Sequence, residues 1–212
     1  DGMQKNGSWE MLPPPAKKLL TDAYHTAIFQ DAQFVHLKNT LGEKLTAAGV
    51  AHIFLKGASL KKDYPEPALR TMCDLDILVH TEDYPKLDKI ASEMGAEAED
   101  GDGNHHSFRF PGNLMVEFHP NLVHHDSPVS KAINPGWQYA AEGRSDLTPE
   151  GFYLHTLCHL ADHFVAGGAG VRFVTDIWVS RNLRKPQPNR EAVEKELKRF
   201  GLLDFACNIE AL

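Results

Sequence analysis

An Asp-x-Asp pair in an apolar run is the part of the sequence with the clearest chemical meaning. Asp74 and Asp76 flank Leu75 and precede Ile77-Leu78-Val79, a pattern that predicts a buried strand. Side chains alternate along a strand, so both carboxylates project from one face, about 6.5 Å apart at about 3.3 Å of rise per residue. Such a pair suits hard cations such as Mg²⁺ that bind phosphate oxygens. Two solvated aspartates at a strand end are the alternative.

Residues before this pair offer a turn and positive charge for phosphate groups. The run 52–55 predicts a short strand, and Gly57 then begins a predicted helix that ends near Lys62. Unpaired N–H groups and a partial positive charge at a helix N-terminus can hold a phosphate. A solvated lysine at position 56, and an ion pair between Arg70 and Asp74, are the alternatives. The candidate phosphate ligands are Lys56, Gly57, Ser59 and Arg70.

A third carboxylate is predicted on a β-hairpin. Segments 107–110 and 114–119 alternate in polarity around a Pro-Gly-Asn turn. Alternation places Glu117 and His119 on one face, opposite Val116 and Phe118. An ordinary surface glutamate is one interpretation of Glu117.

Together these motifs resemble those of the uncharacterised bacterial nucleotidyltransferases, a branch of the polymerase-beta-type nucleotidyltransferase superfamily. The resemblance spans roughly residues 50–180. In one departure, the superfamily usually has Gly-Gly or Gly-Ser about a dozen residues before the Asp pair, whereas this chain has a Lys-Gly-Ala-Ser turn and a longer gap. The segments that carry the resemblance are Leu55-Lys56-Gly57, residues 64–79, Val116-Glu117-Phe118-His119 and the helical stretch 155–176.

The resemblance implies an α+β fold, with a polymerase-beta-type nucleotidyltransferase core of a small mixed sheet and flanking helices, plus a C-terminal helical region. It implies that Asp74, Asp76 and Glu117 are catalytic and bind Mg²⁺, or Mn²⁺ in its place. The implied reaction moves a nucleoside monophosphate from a nucleoside triphosphate, such as ATP, onto a hydroxyl or amine of an unidentified small molecule or protein. The alternatives are a catalytically inactive nucleotide- or metabolite-binding module on the same fold and a toxin-like enzyme that modifies transfer RNA.

Three histidines line one side of a predicted helix. His155, His159 and His163 recur every four residues, and such steps drift by only about 40° around a helix. A zinc site, substrate contacts and structural histidines are all compatible with this spacing, although the glutamate of the metalloprotease motif is absent. A local Arg172–Asp176 ion pair is also compatible with the sequence. The family resemblance favours a substrate cleft formed by His119, His159, His163, Arg172 and Asp176.

Composition limits the range of partners. A net charge of −7 and a pI near 5.9 give no general attraction to nucleic acid, which is therefore an unlikely partner. The sequence has no apolar run of about 18 residues and no signal-peptide core, so we expect a cytoplasmic protein with no membrane partner. The isolated Cys73, Cys158 and Cys207 lie in apolar runs and are predicted to be reduced core thiols. Two histidine pairs are predicted to be solvated loop residues, His105-His106 and His124-His125.

The pattern of helices and strands suggests two domains. Apolar spacing predicts one or two helices between 16 and 48, a helix at 84–94, and an exposed turn at 97–104. From about residue 148 the pattern is helical, with interruptions at 167–170 and 186–188. Residues 1–147 would form the catalytic domain with its N-terminal helices. Residues 148–212 would form a helical domain, and its apolar end suggests that the chain continues.

Overall fold

A five-stranded sheet and eight α-helices make up the computed structural model, which describes residues 7–99, 105–142 and 146–212. The strands are β1 (His52–Phe54), β2 (Asp74–Val79), β3 (Glu97–Glu99), β4 (His106–Phe110) and β5 (Leu114–His119). The helices are α1 (Pro14–Ala47), α2 (Lys56–Leu60), α3 (Tyr84–Glu93), α4 (Ser130–Ile133), α5 (Pro149–Ala166), α6 (Val171–Asn182), α7 (Arg190–Phe200) and α8 (Leu203–Glu210). Short 3-10 helices lie at Ser8–Met11, Lys61–Asp63, Pro67–Leu69, Thr81–Asp83 and Trp137–Tyr139.

The sheet is mixed and has the order β1-β2-β5-β4-β3. β2 pairs with β5 in parallel, while the other neighbouring pairs are antiparallel. In the parallel pair Asp76 lies opposite Glu117 and Asp74 lies opposite Met115. This register brings the two acidic strands side by side, and the predicted α+β class with a small mixed sheet is confirmed.

Each face of β2 belongs to a different hydrophobic core. Leu75, Ile77 and Val79 pack with residues of α1 and α3 in one core. Leu78 lies on the opposite face and packs with the C-terminal helices in the other core. Because alternate residues share a face, Asp74 and Asp76 point the same way as Leu78, towards the helical half of the chain.

The N-terminal region forms a single long helix rather than two. Pro14 begins α1 at a position where a missing N–H costs nothing, and Gly49 follows the helix with a φ of 66°, a left-handed conformation that glycine adopts without strain. Four of its five buried residues lie at helical spacing in its second half, whereas Leu19 and Phe29 are exposed. The core contacts of α1 therefore come from its C-terminal half.

Two predictions from local patterns are wrong. Glu97–Glu99 form the edge strand β3 rather than a turn, and residues 100–104 of that predicted turn lie outside the described residues. Acidic side chains are compatible with a sheet edge because one side of the strand faces solvent. Cys73 and Cys207 are exposed, so of the three cysteines predicted to be core thiols only Cys158 is buried.

The division of the chain at residue 147 stays a prediction. One hydrophobic core combines Ile53 and Leu122 from before that point with Phe152 and Leu157 from after it. Among the helices of the described residues, none is both long and apolar enough to cross a membrane.

Candidate active site

Three carboxylates meet where β2 and β5 lie side by side. One oxygen from each of Asp74, Asp76 and Glu117 falls within 4.8 Å of the others. Asp76 is almost fully buried, whereas Asp74 and Glu117 are half-buried. The strand register and the alternation of side chains produce this convergence, so it follows from the backbone pairing rather than from flexible side chains.

Two positively charged or protonatable side chains contact the buried carboxylate. Lys56 Nζ lies 2.8 Å from Asp76 Oδ1, and His119 Nε2 donates to the same oxygen over 2.9 Å. Burial would raise the pKa of Asp76, but the Lys56 ammonium and the hydrogen bond from His119 hold that pKa well below its ordinary value. Asp76 is therefore ionised at neutral pH.

The pKa values of the groups around Asp76 are shifted as well. Burial and the adjacent Asp76 carboxylate raise the pKa of Asp74, whereas the hydrogen bond from His119 lowers the pKa of Glu117. Burial opposes a charged His119, but its bonds to Asp76 and Glu117 raise its pKa above the ordinary value. Burial is the larger cause of the raised pKa of Asp74, and a divalent cation would relieve the repulsion from Asp76 that adds to it.

Lys56 holds an unusual backbone conformation at this site. Its φ is 45°, in the left-handed region that costs an L-residue roughly 1–2 kcal/mol. Such strain is concentrated at functional sites, where the surrounding structure enforces it. Burial would lower the pKa of Lys56, but Asp76 raises it, so the ammonium stays charged within the site.

A cavity of about 310 Å³ opens beside the carboxylates and is called here the cationic cavity. Arg172 is exposed, with Nη1 3.3 Å from the carbonyl of Thr71 and its guanidinium 5.7 Å from the ring centre of Phe173. The cavity thus places positive charge opposite the carboxylates. Its polar and charged lining comprises Lys56, Arg70, Asp74, Asp76, Glu117, Thr156, His159, His163, Arg172 and Asp176.

A second cavity of about 400 Å³ lies on the other side of Glu117 and is called here the histidine cavity. It shares Lys56, Glu117, His159 and His163 with the cationic cavity, so the two spaces meet at the carboxylates. Its other polar residues are His105, His119, Asn121, His124, His125 and Asp162.

Arg70 and Asp176 form a buried ion pair. Arg70 Nε and Nη2 donate to the two carboxylate oxygens of Asp176 over 3.2 and 2.5 Å, and Tyr64 donates its hydroxyl proton to Asp176 over 2.5 Å. Burial and this bond raise the pKa of Tyr64. Neither alternative predicted from the sequence is found, since Asp176 pairs with Arg70 rather than Arg172, and Arg70 does not pair with Asp74. Arg70 lines the cationic cavity, but its Nε and Nη2 donate to Asp176 and its Nη1 donates to the carbonyl of Thr71.

Gly57 is packed directly against this ion pair. A Cβ atom at position 57 would lie 2.5 Å from Arg70 Nη1 and 2.8 Å from Met72 Sδ. Both distances are shorter than van der Waals contact. The side chains of Arg70 and Met72 therefore require a glycine at this turn.

Gly57→Ala is expected to lower the free energy of unfolding by about 1–3 kcal/mol, the usual cost of overpacking a filled site. Gly170→Ala is the matched control, because a Cβ at position 170 would meet no atom within 4 Å. Urea unfolding of both variants measures the difference. Equal midpoints for the two variants would show that the turn is less tightly packed than the structure indicates.

The three histidines of α5 have different surroundings. His155 is fully buried, His159 is half-buried and His163 is exposed. His159 and His163 line both cavities, with ring centres 4.5 Å apart. In the described residues, several groups of three potential metal ligands converge within 4.8 Å. None of these groups consists of His155, His159 and His163, so the structure gives no support to a zinc site on α5.

Acid should destabilise the protein through His155. Burial, and then the Lys56 cation, lower the pKa of His155 to about 3, against about 6.5 in an unfolded chain. Between these values the unfolded state binds a proton that the folded state does not. Stability should therefore fall by roughly 1 kcal/mol for each pH unit below about 6.5, with no contribution above it.

His155→Leu should make the free energy of unfolding less dependent on pH between 7 and 5, as measured by urea unfolding. His36→Leu is the matched control, because His36 lies exposed on α1. If the parent and His155→Leu lose the same stability on acidification, His155 is not the group responsible.

The surroundings of two further residues, Ser59 and His105, differ from those that the sequence predicted. Ser59 is buried and bonded to Asp146 and Arg184, and it does not line either cavity. His105 was predicted to be a solvated loop residue, but it is half-buried with Nε2 3.6 Å from Glu117 Oε1. The hairpin register could have predicted this position of His105. Phe110 pairs with Leu114, so counting away from the turn along both strands places His105 opposite His119.

Comparisons with known proteins show the family and the fold of this chain. A family model described as "Uncharacterised nucleotidyltransferase" matches residues 1–212. The solution structure of the antibiotic-resistance factor ANT(2'')-Ia aligns with a TM-score of 0.60 at 11% identity, over 85% of this chain and 98% of that chain. An antigenic nucleotidyltransferase-like protein from Paracoccidioides brasiliensis aligns with a TM-score of 0.46 at 17% identity, over 82% of this chain and 91% of that chain. No curated protein sequence matches the chain. At so low an identity, the likeness to ANT(2'')-Ia shows the fold alone.

Proposed function

Because the chain belongs to the family of uncharacterised nucleotidyltransferases, as its motifs predicted, we propose that it transfers a nucleoside monophosphate from a nucleoside triphosphate to a hydroxyl or amine of a small molecule. The observation that carries this proposal is the convergence of Asp74, Asp76 and Glu117 where two cavities meet, one lined by Arg172 and the other rich in histidines. The alternatives are a protein acceptor and a noncatalytic nucleotide-binding module, and the experiments below test the second of these.

The carboxylates suit a divalent cation, for which we propose Mg²⁺ or Mn²⁺. Oxygen ligands are those that Mg²⁺ prefers, and the raised pKa of Asp74 indicates a site with unbalanced negative charge. When bound, the cation would neutralise charge on the phosphate and on the attacking and leaving oxygens. Lys56 neutralises part of the remaining charge and fixes the position of the Asp76 carboxylate.

The triphosphate is assigned to the cationic cavity. The guanidinium of Arg172 is exposed at this cavity, and Lys56 contributes a second positive charge beside the carboxylates. Arg70 supports the cavity through Asp176 and Gly57 rather than by offering all of its donors to phosphate. A guanidinium suits phosphate because its N–H groups can contact two oxygens at once.

The acceptor is assigned to the histidine cavity. Its volume of about 400 Å³ lies within the range of about 300–1,000 Å³ that is typical of small-molecule sites. Glu117 lines both cavities, so an acceptor hydroxyl in one cavity would face the α-phosphate in the other. Displacement would form the bond between the acceptor oxygen and the α-phosphorus and release pyrophosphate.

A thermal-shift screen of the four common nucleoside triphosphates with Mg²⁺ or Mn²⁺ tests the proposal. A nucleotide at about 100 times its dissociation constant should stabilise the protein by about 2.7 kcal/mol. Arg172→Ala should weaken this stabilisation, whereas Arg190→Ala should not, because Arg190 is exposed on α7 and pairs with Glu194.

Pyrophosphate release with a panel of hydroxyl- and amine-bearing small molecules then tests catalysis. Stabilisation by a nucleotide without pyrophosphate release from any acceptor would favour a noncatalytic module. Absence of stabilisation by all four nucleotides would reject the proposal.

A further inference from the structure

A histidine-rich group of metal ligands adjoins the three carboxylates. His105, Glu117 and His119 offer ligand atoms that all lie within 4.8 Å of one another. His119 Nε2 is 3.4 Å from Glu117 Oε2, and His105 Nε2 is 3.6 Å from Glu117 Oε1. This group shares Glu117 with the carboxylate cluster but adds two imidazole nitrogens on the side of the histidine cavity.

The separations match those between ligands of one small cation. Zinc lies about 2.0–2.1 Å from histidine nitrogen and about 2.0–2.2 Å from carboxylate oxygen, so ligands at the corners of a tetrahedron around it lie about 3.4 Å apart. The two distances to Glu117 oxygens are close to that value. A cation could therefore bind between these side chains with little movement of the backbone, in place of the proton that His119 Nε2 donates to Asp76.

The ligand types set the kind of cation. Imidazole nitrogen suits zinc and other transition metals, whereas Mg²⁺ prefers oxygen ligands and retains its water molecules. The surrounding charge is favourable, because three carboxylates face the single ammonium of Lys56.

A buried hydroxyl beside the group is a second, independent observation. Ser107 lies directly opposite Glu117 in the β4–β5 register, so its side chain is on the same face. Its hydroxyl is buried and has no hydrogen-bond partner among the described residues. Buried polar atoms usually have a partner, and a metal-bound water could provide one here.

We propose that His105, Glu117 and His119 bind a divalent transition-metal ion, such as Zn²⁺, at the border of the histidine cavity. The ion has three protein ligands, and the cavity leaves further coordination positions open to water or to an acceptor oxygen. The site deepens the proposed function because it lies where the acceptor is assigned. Metal binding itself requires no nucleotide.

Titration of the whole metal-free protein with Co²⁺, followed by visible absorption, tests the site. Co²⁺ is a spectroscopic substitute for Zn²⁺, and its visible absorption bands report the coordination geometry of the bound ion. The parent should bind Co²⁺ in the presence of excess Mg²⁺, and Zn²⁺ should displace it. His105→Ala should weaken Co²⁺ binding by at least about tenfold, a loss found even for residues that only support metal ligands.

Two control variants separate this site from neighbouring histidines. His106→Ala should leave Co²⁺ affinity unchanged, because His106 contacts Asp88 and stacks on Tyr84. The double variant His124→Ala/His125→Ala removes both histidines of an exposed group that also contains Asp126. It should likewise retain Co²⁺ binding.

Equal Co²⁺ affinity in His105→Ala and the parent would overturn the proposal, as would a loss confined to the double variant. Co²⁺ binding that Mg²⁺ displaces would also overturn it, because the carboxylates would then be the ligands. All of these measurements omit nucleotide, so failure of nucleotidyl transfer would leave the metal site standing. Conversely, transfer with Mg²⁺ by a protein that binds no Co²⁺ would reject this site alone.

Discussion

Asp76→Asn is expected to reduce nucleotidyl transfer by about 10²- to 10³-fold or more, the loss found when one preorganised electrostatic group is removed from an active site. Asparagine keeps the shape of the side chain but removes the charge that pairs with Lys56 and His119. The variant should also lose its affinity for the cation–nucleotide complex. Calorimetry with Mg²⁺ and the nucleotide found in the thermal-shift screen measures that affinity.

Asp88→Asn is the matched control, because Asp88 is an exposed carboxylate. Within the described part of the chain, its ion-pair partner is the imidazole of His106. Because Asp76 is buried, its substitution could also weaken the fold, so urea unfolding is measured on the same samples. Glu117→Gln provides a second variant at a half-buried position and should lose activity with a smaller loss of stability. Unchanged affinity for Mg²⁺ and nucleotide in both variants would show that the carboxylates are not the binding site.

Asp176→Ala should cost about 3–5 kcal/mol of unfolding free energy, the largest stability effect expected from a single substitution here. The change leaves the buried guanidinium of Arg70 without its partner and removes the acceptor of the Tyr64 hydroxyl. An unpaired buried charge is far more costly than the pair itself is stabilising. Urea unfolding at neutral pH measures the loss.

Glu194→Ala is the control for an exposed ion pair and should change the unfolding free energy by less than about 1 kcal/mol. The double variant Arg70→Met/Asp176→Leu should recover much of the loss, because neither charge is then left unpaired. A loss below about 1 kcal/mol in Asp176→Ala, or a double variant no more stable than that single variant, would contradict the buried-pair assignment.

Local periodicity was sufficient to predict which side chains share a face. The alternation around Asp74 and Asp76 predicted a buried strand with both carboxylates on one side, and the structure has that strand as β2. The hairpin of β4 and β5 and the helix α3 also lie where turn residues and apolar spacing predicted them. These features depend on residues a few positions apart, so the sequence contains the information directly.

The family and its α+β fold were also predictable, because the motifs around the Asp pair and Glu117 resemble those of nucleotidyltransferases, and the family model matches the chain. Patterns with weak local signals were misread. Glu97–Glu99 have the composition of a turn but form an edge strand, because pairing with β4 outweighs their low strand propensity. Cys73 and Cys207 lie in apolar runs but are exposed, since an apolar run does not specify which of its residues face the core.

The partner of each charged group was decided only by the tertiary structure. Arg70 and Asp176 are 106 positions apart, and nothing in either segment indicates that they meet. The parallel pairing of β2 with β5 places Glu117 and His119 beside Asp76, whereas His105 reaches the cluster through the β4–β5 hairpin. Local sequence determines the direction of a side chain relative to its own strand or helix. Which distant group it meets depends on how the strands pair and how the helices pack over them, and this is a property of the whole chain.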